Sequence, residues 1–153
     1  MDDEGRVVSV FSKSASEAVG FAISEWKGEH RIDVRIYISS ITDEGLVPTR
    51  KGISLELGQY SQLKDGVTRL GDVMSGDKLV ARIKKTDRAE VRIGTNIYRG
   101  QALIYLRTFA LLEAGASEWK PTPKGVSLRV DLYPKLLEGV EALVPVVDEL
   151  QDN

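Results

Sequence analysis

Arginine and lysine residues alternate with large aromatic residues in several short stretches of this 153-residue chain. The aromatic residues concerned are Trp26, Tyr37, Tyr98, Tyr105 and Phe109. Cationic side chains bind phosphates and flat side chains stack on bases, so this combination suits the non-specific binding of a single nucleic-acid strand. The alternative is that the rings pack in a core or on a sheet surface and that the cations are only solvated. Residue types alone leave both interpretations open.

Positive charge is concentrated in the second half of the chain. The segment 78–129 has eleven basic and four acidic residues, whereas 27–51 has five and four. Acidic residues gather at the two ends, and the whole chain has a net charge of −2. If these charges are exposed, an anionic partner will meet the stronger field at the second half.

The chain contains an internal repeat. Lys51-Gly52-Ile53-Ser54-Leu55 returns 73 residues later as Lys124-Gly125-Val126-Ser127-Leu128, and Trp26-Lys27-Gly28 corresponds to Tyr98-Arg99-Gly100, 72 residues later. Matches in nearly constant register over most of a chain indicate a duplication. We therefore expect two units, 5–77 and 78–150, that share one core.

The hydrophobic pattern predicts four strands in each unit. Over 31–38, apolar residues alternate with Arg31, Asp33, Arg35 and Tyr37, which places the two sets on opposite faces of a strand. The other strands of the first unit are predicted at 7–11, 19–26 and 47–57. In the second unit, three of the four corresponding strands are placed, at 79–83, 102–109 and 120–130. Lys27-Gly28-Glu29 is predicted as a turn, and Gly28 and Gly100, at the same place in both repeats, suit a position that needs a positive φ.

A helix is predicted after the fourth strand of each unit. Apolar residues follow helical spacing in two stripes, Tyr60, Leu63, Val67, Leu70 and Met74, and Tyr133, Leu136, Val140, Leu143 and Val147. Asp131 is predicted as an N-cap, and Pro145 is predicted to kink or end the second helix. Gly66 and Gly139, in mid-helix, are predicted to let the two helices approach closely.

The predicted fold class is α+β. It consists of two β-β-β-β-α repeats with curved antiparallel sheets, packed through their helices as a pseudo-twofold intramolecular dimer.

These motifs resemble those of the transcriptional positive cofactor 4 family, a single-stranded-DNA-binding fold, present here twice. In the first repeat the residues that carry the resemblance are Lys27-Gly28, Ile32-Asp33-Val34-Arg35 with Tyr37, Pro48, Arg50-Lys51-Gly52-Ile53-Ser54-Leu55 and Tyr60-Ser61-Gln62-Leu63-Lys64. Tyr98-Arg99-Gly100-Gln101-Ala102-Leu103 also resembles the Lys-Gly-Lys-Ala-Ala-Leu motif of the related Whirly proteins. The family's paired units bind single strands on their sheets by backbone contact and base stacking.

The resemblance implies a set of nucleic-acid-binding residues. In the first repeat they are Trp26, Lys27, Arg35, Arg50 and Lys51, and in the second repeat Tyr98, Arg99, Arg107, Lys120 and Lys124. Residue types add Tyr37, Tyr105 and Phe109. Two departures stand out: Pro123 occupies the position of Arg50, and Ile38 and Ala110 stand where the family has an aromatic residue.

Two classes of function fit these residues. The first is largely sequence-nonspecific binding of single-stranded DNA, with RNA as a second candidate, in transcription regulation, replication or repair. The other is a protein-interaction scaffold that keeps the fold without binding nucleic acid. Further homo-oligomerisation beyond the internal pseudo-dimer is left open.

Patterns for catalysis or metal binding are missing. The chain has no cysteine and one histidine, His30, and it lacks a glycine-rich phosphate loop and a Ser/His/Asp set. We therefore expect no enzymatic activity, no cofactor and no metal.

The sequence also predicts where the protein acts. No apolar run approaches the roughly 18 residues of a membrane span, and the acidic start at 2–4 is unlike a signal peptide. We expect a cytoplasmic location, associated with the nucleoid if the source is prokaryotic, and no membrane partner.

Overall fold

The computed structural model of the chain describes residues 6–39 and 45–151. The acidic start at 2–4 lies outside them. The first sheet contains β1 (Arg6–Ser12), β2 (Glu17–Trp26), β3 (Glu29–Ser39) and β4 (Leu46–Glu56), and the second contains β5 (Lys78–Thr86), β6 (Ala89–Tyr98), β7 (Gln101–Ala110) and β8 (Lys120–Arg129). Both sheets are antiparallel with strands in sequence order.

One helix follows each sheet, and a third helix ends the described chain. They are α1 (Tyr60–Leu70), α2 (Tyr133–Ala142) and α3 (Val144–Gln151), with a 3₁₀ turn before α1 and before α2. The predicted fold class is confirmed: two β4α units form one molecule, and α1 packs against α2. The predicted boundary between the units, 77/78, stays a prediction.

The duplicated Lys/Arg-Gly pairs form two-residue hairpin turns. Lys27 and Gly28 have φ values of 52° and 81°, and Arg99 and Gly100 have 52° and 78°. Two successive positive φ values define the type I′ turn, whose twist matches that of the flanking strands. The glycine was expected to need this conformation, but the preceding cation was not.

The repeated Lys-Gly motif of the fourth strands marks a bulge. Across the ladder, Arg35 faces Gly52 and the next pair is Tyr37 with Pro48, so three residues of β4 oppose one of β3. The second sheet repeats this arrangement, with Thr122, Pro123 and Lys124 bulged. A Cβ atom at Gly52 would lie 2.8 Å from the Arg35 Cα atom, and for this reason glycine is required after the bulge.

The alternation in β3 and β7 separates a core face from an open face, as predicted. Ile32, Val34 and Ile36 are buried, and so are Ile104 and Leu106. Both sheets and the helical stripes contribute to one hydrophobic cluster. The opposite faces of the sheets are open.

Each helix packs on the sheet of the other repeat. A Cβ atom at Gly66 of α1 would lie 2.8 Å from Ile93 Cδ1 and 3.1 Å from Ala81 Cβ, both in the second sheet. At Gly139 of α2, it would collide with the ring of Phe21 in the first sheet. The prediction that these glycines bring the helices together is wrong. They admit the side chains of the opposite sheet.

Two tyrosines join the helices by reciprocal hydrogen bonds. Tyr60 donates its hydroxyl to the carbonyl of Val140, and Tyr133 donates to the carbonyl of Val67 over 2.7 Å. These residues are equivalent pairs in the two repeats. The bonds therefore give direct evidence of the pseudo-twofold relation.

Three details of the helices differ from or refine the predictions. Helix α1 ends at Leu70, so Met74 packs on the core from the following segment. Asp131 is not the N-cap of α2: it lies in the 3₁₀ turn and accepts a hydrogen bond from Arg129, and Leu132 is the capping residue. The second stripe is interrupted after Ala142 and resumes in α3, where Pro145 occupies the first turn.

The two sheets meet along β4 and β8. Within residues 6–39 and 45–151, no helix is long and apolar enough to cross a membrane.

Candidate nucleic-acid interface

The open face of the first sheet forms a groove of about 1020 Å³, here called the first groove. Strand β3 runs along its floor and exposes alternate side chains there. Trp26 comes from the end of β2, and Arg50 and Ser54 come from β4. The lining thus includes Trp26, Arg31, Asp33, Arg35, Tyr37, Thr49, Arg50 and Ser54.

Arg35 organises the floor of the first groove. Its Nη1 donates to the carbonyl of Thr49 over 3.1 Å, and its Nη2 donates to Asp33 Oδ1 over 3.0 Å. The Thr49 hydroxyl in turn donates to the carbonyl of Ile36. Arg35 therefore fixes the β4 bulge that presents Arg50, and Asp33 neutralises its charge.

Arg31 and Lys85 place positive charge at the junction between the repeats. Arg31 Nε donates to Ser54 Oγ over 2.8 Å, and Lys85, from the second repeat, donates to the carbonyl of Ser54. Burial lowers the pKa of Lys85, and the charges of Arg31 and Lys124 lower it further. Mutual repulsion of three cations is relieved when an anion binds among them.

Two aromatic residues line the first groove in different ways. The ring of Tyr37 lies over Gly20, where any side chain would collide with it, and burial raises the pKa of its hydroxyl. Trp26 lies at the end of β2 and is 50% exposed. The ammonium group of Lys27 lies 5.4 Å from the centre of the Trp26 ring. Trp26 is thus available for stacking, with a cation beside it.

The open face of the second sheet has a smaller groove of about 410 Å³, here called the second groove. Its lining includes Lys78, Asn96, Tyr105, Arg107 and Phe109. Arg107 donates to the carbonyl of Thr122 over 2.9 Å and to Ser127 Oγ over 3.0 Å. It holds the β8 bulge as Arg35 holds that of β4, and burial lowers the pKa of its guanidinium.

Beside the second groove lies a compact group of side chains that we call the Glu90 cluster: Arg82, Glu90, Arg92, Phe109 and Trp119. Glu90 is 6% exposed and accepts hydrogen bonds from Arg82 and Arg92, with Nε–Oε2 distances of 2.7 and 2.6 Å. Burial would raise the pKa of Glu90, but the hydrogen bonds and charges of the two arginines hold it below its usual value.

The aromatic members of the Glu90 cluster are covered by arginine. The guanidinium carbon of Arg92 lies 4.4 Å from the centre of the Phe109 ring and 5.9 Å from that of Trp119. Arg82 lies 5.9 Å from the Trp119 ring. Such distances are those of cation–π contacts, which bury the arginine stems on the rings.

The sequence-predicted residues divide between and around the grooves. Trp26, Arg35, Tyr37 and Arg50 line the first groove, and Tyr105, Arg107 and Phe109 line the second. The remaining six, which line neither groove, are Lys27, Lys51, Tyr98, Arg99, Lys120 and Lys124. Lys27 and Arg99 occupy the hairpin turns, Lys51 and Lys124 the bulges, and Lys120 pairs with Glu118 over 3.7 Å.

Arg31, Lys85 and the Glu90 cluster apart from Phe109 are not among the residues that the sequence predicts to bind nucleic acid. The alternation along β3 does place Arg31 on the same face as Arg35, and this signal could have added it to that set. Lys85 contacts Ser54 of the other repeat, and Trp119 contacts Arg92 from the segment before β8. No spacing along the chain indicates either contact. Within the described residues, no group of three or more histidine, aspartate or glutamate residues is arranged to hold a metal ion.

Comparisons with solved structures match part of the chain. A PC4 homolog from Burkholderia pseudomallei K96243 is 26% identical in its tetragonal crystal form, with 42% of this chain and 93% of that chain covered and a TM-score of 0.37. Its orthorhombic form gives 26% identity, coverage of 43% and 86%, and a TM-score of 0.36. The bacteriophage T5 homolog of the eukaryotic transcription coactivator PC4, implicated in recombination-dependent DNA replication, is 24% identical, with coverage of 47% and 81% and a TM-score of 0.35.

No curated protein matches the chain. The family model of the transcriptional coactivator p15 (PC4) matches it twice, at residues 13–66 and 84–139, which together make up more than half of its length. The two matches cover most of both repeats. The chain therefore belongs to the transcriptional coactivator p15 (PC4) family and carries the family unit as a tandem repeat.

Proposed function

We propose that this protein binds single-stranded DNA without strong sequence preference, as a non-catalytic factor in transcription, replication or repair. The observation that carries the proposal is the first groove, where cations and aromatic rings are held together on rigid strands. A single strand needs both features, because its phosphates attract cations and its unpaired bases expose flat faces.

Positive charge in and around the first groove is suited to a phosphate backbone. Arg50 and Lys51 are exposed at the β4 bulge, and neither forms an ion pair within the described residues. Arg31 and Lys85 add charge along the junction with the second repeat. Since phosphates repeat along a strand, cations spread along a groove bind more of them than a single cluster would.

Exposed stacking surface supports a single strand over a duplex. Trp26 is half exposed at one end of the groove, and Tyr37 lines the floor. Stacking on aromatic side chains contributes about 1–3 kcal/mol per base and tolerates any base. A duplex keeps its bases paired and offers these rings nothing to stack on.

Fluorescence anisotropy with a labelled thymidine oligonucleotide tests the proposal. We expect binding at low salt that weakens as salt rises, and weaker binding of a duplex of equal length. The double variant Arg50→Ala/Lys51→Ala should lower the affinity and flatten the salt dependence by about 0.7 for each phosphate that is no longer neutralised. Lys135→Ala, which removes an exposed lysine from α2 on the opposite side, is the matched control.

Two outcomes would contradict the proposal. One is equal affinity for duplex and single strand. The other is no binding at about 50 mM salt, where phosphate contacts are strong. The second result would favour the scaffold alternative, in which the fold serves a protein partner. A ribonucleotide oligomer of the same length decides between DNA and RNA.

A further inference from the structure

We propose that each chain binds one strand segment, in the first groove, and that the second groove, which the Glu90 cluster flanks, is too restricted to hold another. This inference rests on the proposed function and makes it specific. It assigns unequal roles to two repeats that share one fold.

Strand register shows that the cluster occupies positions that are small or neutral in the first sheet. Val10 faces Gly20 across β1 and β2, and Arg82 faces Arg92 across β5 and β6. Likewise Tyr37 faces Ala18 of β2, whereas Phe109 faces Glu90 of β6. The first sheet thus has Val10, Ala18 and Gly20 where the second has Arg82, Glu90 and Arg92.

These replacements place larger, charged side chains on the open face of the second sheet. Arg92 lies 4.4 Å from the centre of the Phe109 ring and so covers one face of it, and its side chain is only 19% exposed. Trp119, from the segment between β7 and β8, lies beside both arginines. Trp119 and the two arginines flank the second groove without lining it. Within the groove, Tyr105 stands where the first sheet has Asp33, with its hydroxyl over Gly94, and the volume is about 410 Å³ against about 1020 Å³ for the first.

The cluster resists displacement by a nucleic acid. Glu90 is held by two charge-assisted hydrogen bonds, which are stronger than neutral ones. Moving Arg92 off the ring would leave a buried carboxylate partly uncompensated, a costly state in a protein interior. A strand therefore meets a closed surface here and an open groove on the first sheet.

The chain has only two tryptophans, and they report on the two faces separately. Trp26 lines the first groove, and Trp119 belongs to the Glu90 cluster. A base stacked on indole quenches its fluorescence. Trp119→Phe leaves Trp26 as the only reporter, and Trp26→Phe leaves Trp119. Each is titrated with an unlabelled thymidine oligonucleotide of about ten nucleotides, within the range of known single-strand sites.

We expect strong quenching of Trp26, little change of Trp119, and one oligonucleotide per chain of the unmodified protein by calorimetry. Equal quenching of both tryptophans, or two oligonucleotides per chain of similar affinity, would overturn the inference. Absence of binding to the unmodified chain would instead contradict the proposed function, so the two failures are distinguishable.

Opening the cluster provides the converse test. Glu90→Ala releases both arginines, and in the Trp26→Phe background we expect Trp119 to become quenched and a second oligonucleotide to bind. Glu113→Ala removes an acidic residue that is exposed in the same β7–β8 segment, and it should change neither readout. If Glu90→Ala does not fold, Trp119→Ala opens the cluster and its stoichiometry is measured. A folded opened variant that still binds one oligonucleotide contradicts the inference.

Discussion

The open faces of the first and second sheets have the same strand order, the same type I′ turns and the same arginine-held bulges. The two faces differ in the side chains that the same backbone carries. On the first, Val10, Ala18 and Gly20 stand at the positions of Arg82, Glu90 and Arg92, and the ring of Tyr37 lies over Gly20. On the second, Glu90 draws Arg82 and Arg92 over the sheet, and Trp119 lies beside them. One backbone thus supports an open and a partly closed face.

Counting charges gives the opposite expectation for the two repeats. The segment 78–129 has the larger basic excess, which predicts a stronger field from the second repeat. In the structure, Arg82, Arg92, Lys84 and Lys120 of that segment form ion pairs within it. Meanwhile Lys85 donates to the backbone carbonyl of Ser54, a residue of the first groove. Accordingly, we expect the first repeat to dominate binding, opposite to the expectation from charge alone.

The core should be symmetric even though the faces are not, and the largest effects test this. Val67 and Val140 are equivalent, fully buried residues of α1 and α2. Val67→Asp and Val140→Asp each bury an unpaired charge and should cost several kcal/mol, enough to unfold the chain. Circular dichroism and thermal melting measure this. A soluble variant with an unchanged melting temperature would show that its helix does not pack as described.

Stacking should distinguish the equivalent aromatics Trp26 and Tyr98. Both are about half exposed beside a turn cation, but only Trp26 lines a groove. We expect Trp26→Ala to weaken oligonucleotide binding by about tenfold, equivalent to roughly 1.4 kcal/mol, and Tyr98→Ala to have little effect. Anisotropy titrations measure both. Equal losses would show that the two faces share the strand.

The reciprocal tyrosine bonds should contribute unequally to stability. Tyr60 is 7% exposed, whereas Tyr133 is partly accessible to water. Tyr60→Phe leaves the buried carbonyl of Val140 without this donor and should cost about 1–3 kcal/mol; Tyr133→Phe should cost less. Urea denaturation of both variants provides the comparison. A larger loss for Tyr133→Phe would contradict it.

The raised pKa of Tyr60 predicts a loss of stability at alkaline pH. Burial, helped by Glu141 and Asp148, raises the pKa of Tyr60 from 10.0 to about 12. The folded state therefore holds this proton more tightly than the unfolded state. Its contribution is complete below pH 10 and is lost as the pH rises through about 12. Tyr60→Phe should make stability less dependent on pH in that interval. An unchanged dependence would remove Tyr60 as the cause.

The smallest expected effect concerns Lys85, which contacts Ser54 of the first repeat from the second repeat. Lys85→Ala should flatten the salt dependence of binding by about 0.7, the value for one phosphate contact on a single strand. Its neighbour Lys84 is exposed and paired with Asp87 over 3.0 Å, so Lys84→Ala is the matched control. A larger effect from Lys84 would place the strand outside the first groove.

The pH dependence of binding tests whether the charge of Lys85 contributes to affinity. Its pKa is lowered from 10.5, first by burial. Lys85 should therefore lose its charge, and its contribution to affinity, at a lower pH than an ordinary lysine does. Lys85→Arg keeps the charge and should remove this part of the pH dependence. An identical pH profile for the two proteins would exclude Lys85 from the interface.

Sequence alone determined the duplication, the β4α order, the face of β3 that is open and the turns that join β2 to β3 and β6 to β7. These features depend on spacing within one strand, one turn or one repeat, and side-chain direction follows from period and chirality. Most candidate residues on β3 and β7, such as Arg35 and Phe109, could be named for the same reason.

Only the tertiary structure decided what those residues do. Gly66 and Gly139 contact side chains of the opposite sheet because each helix packs on the sheet of the other repeat. No pattern within one repeat indicates this packing. Arg82 lies on β5, Glu90 and Arg92 lie on β6, and Trp119 lies in the loop before β8. Lys85 reaches Ser54 from 31 positions away. Ion pairs, burial and ring contacts depend on distances between residues that are far apart in the chain. These distances give the first sheet a wide groove and the second a smaller one.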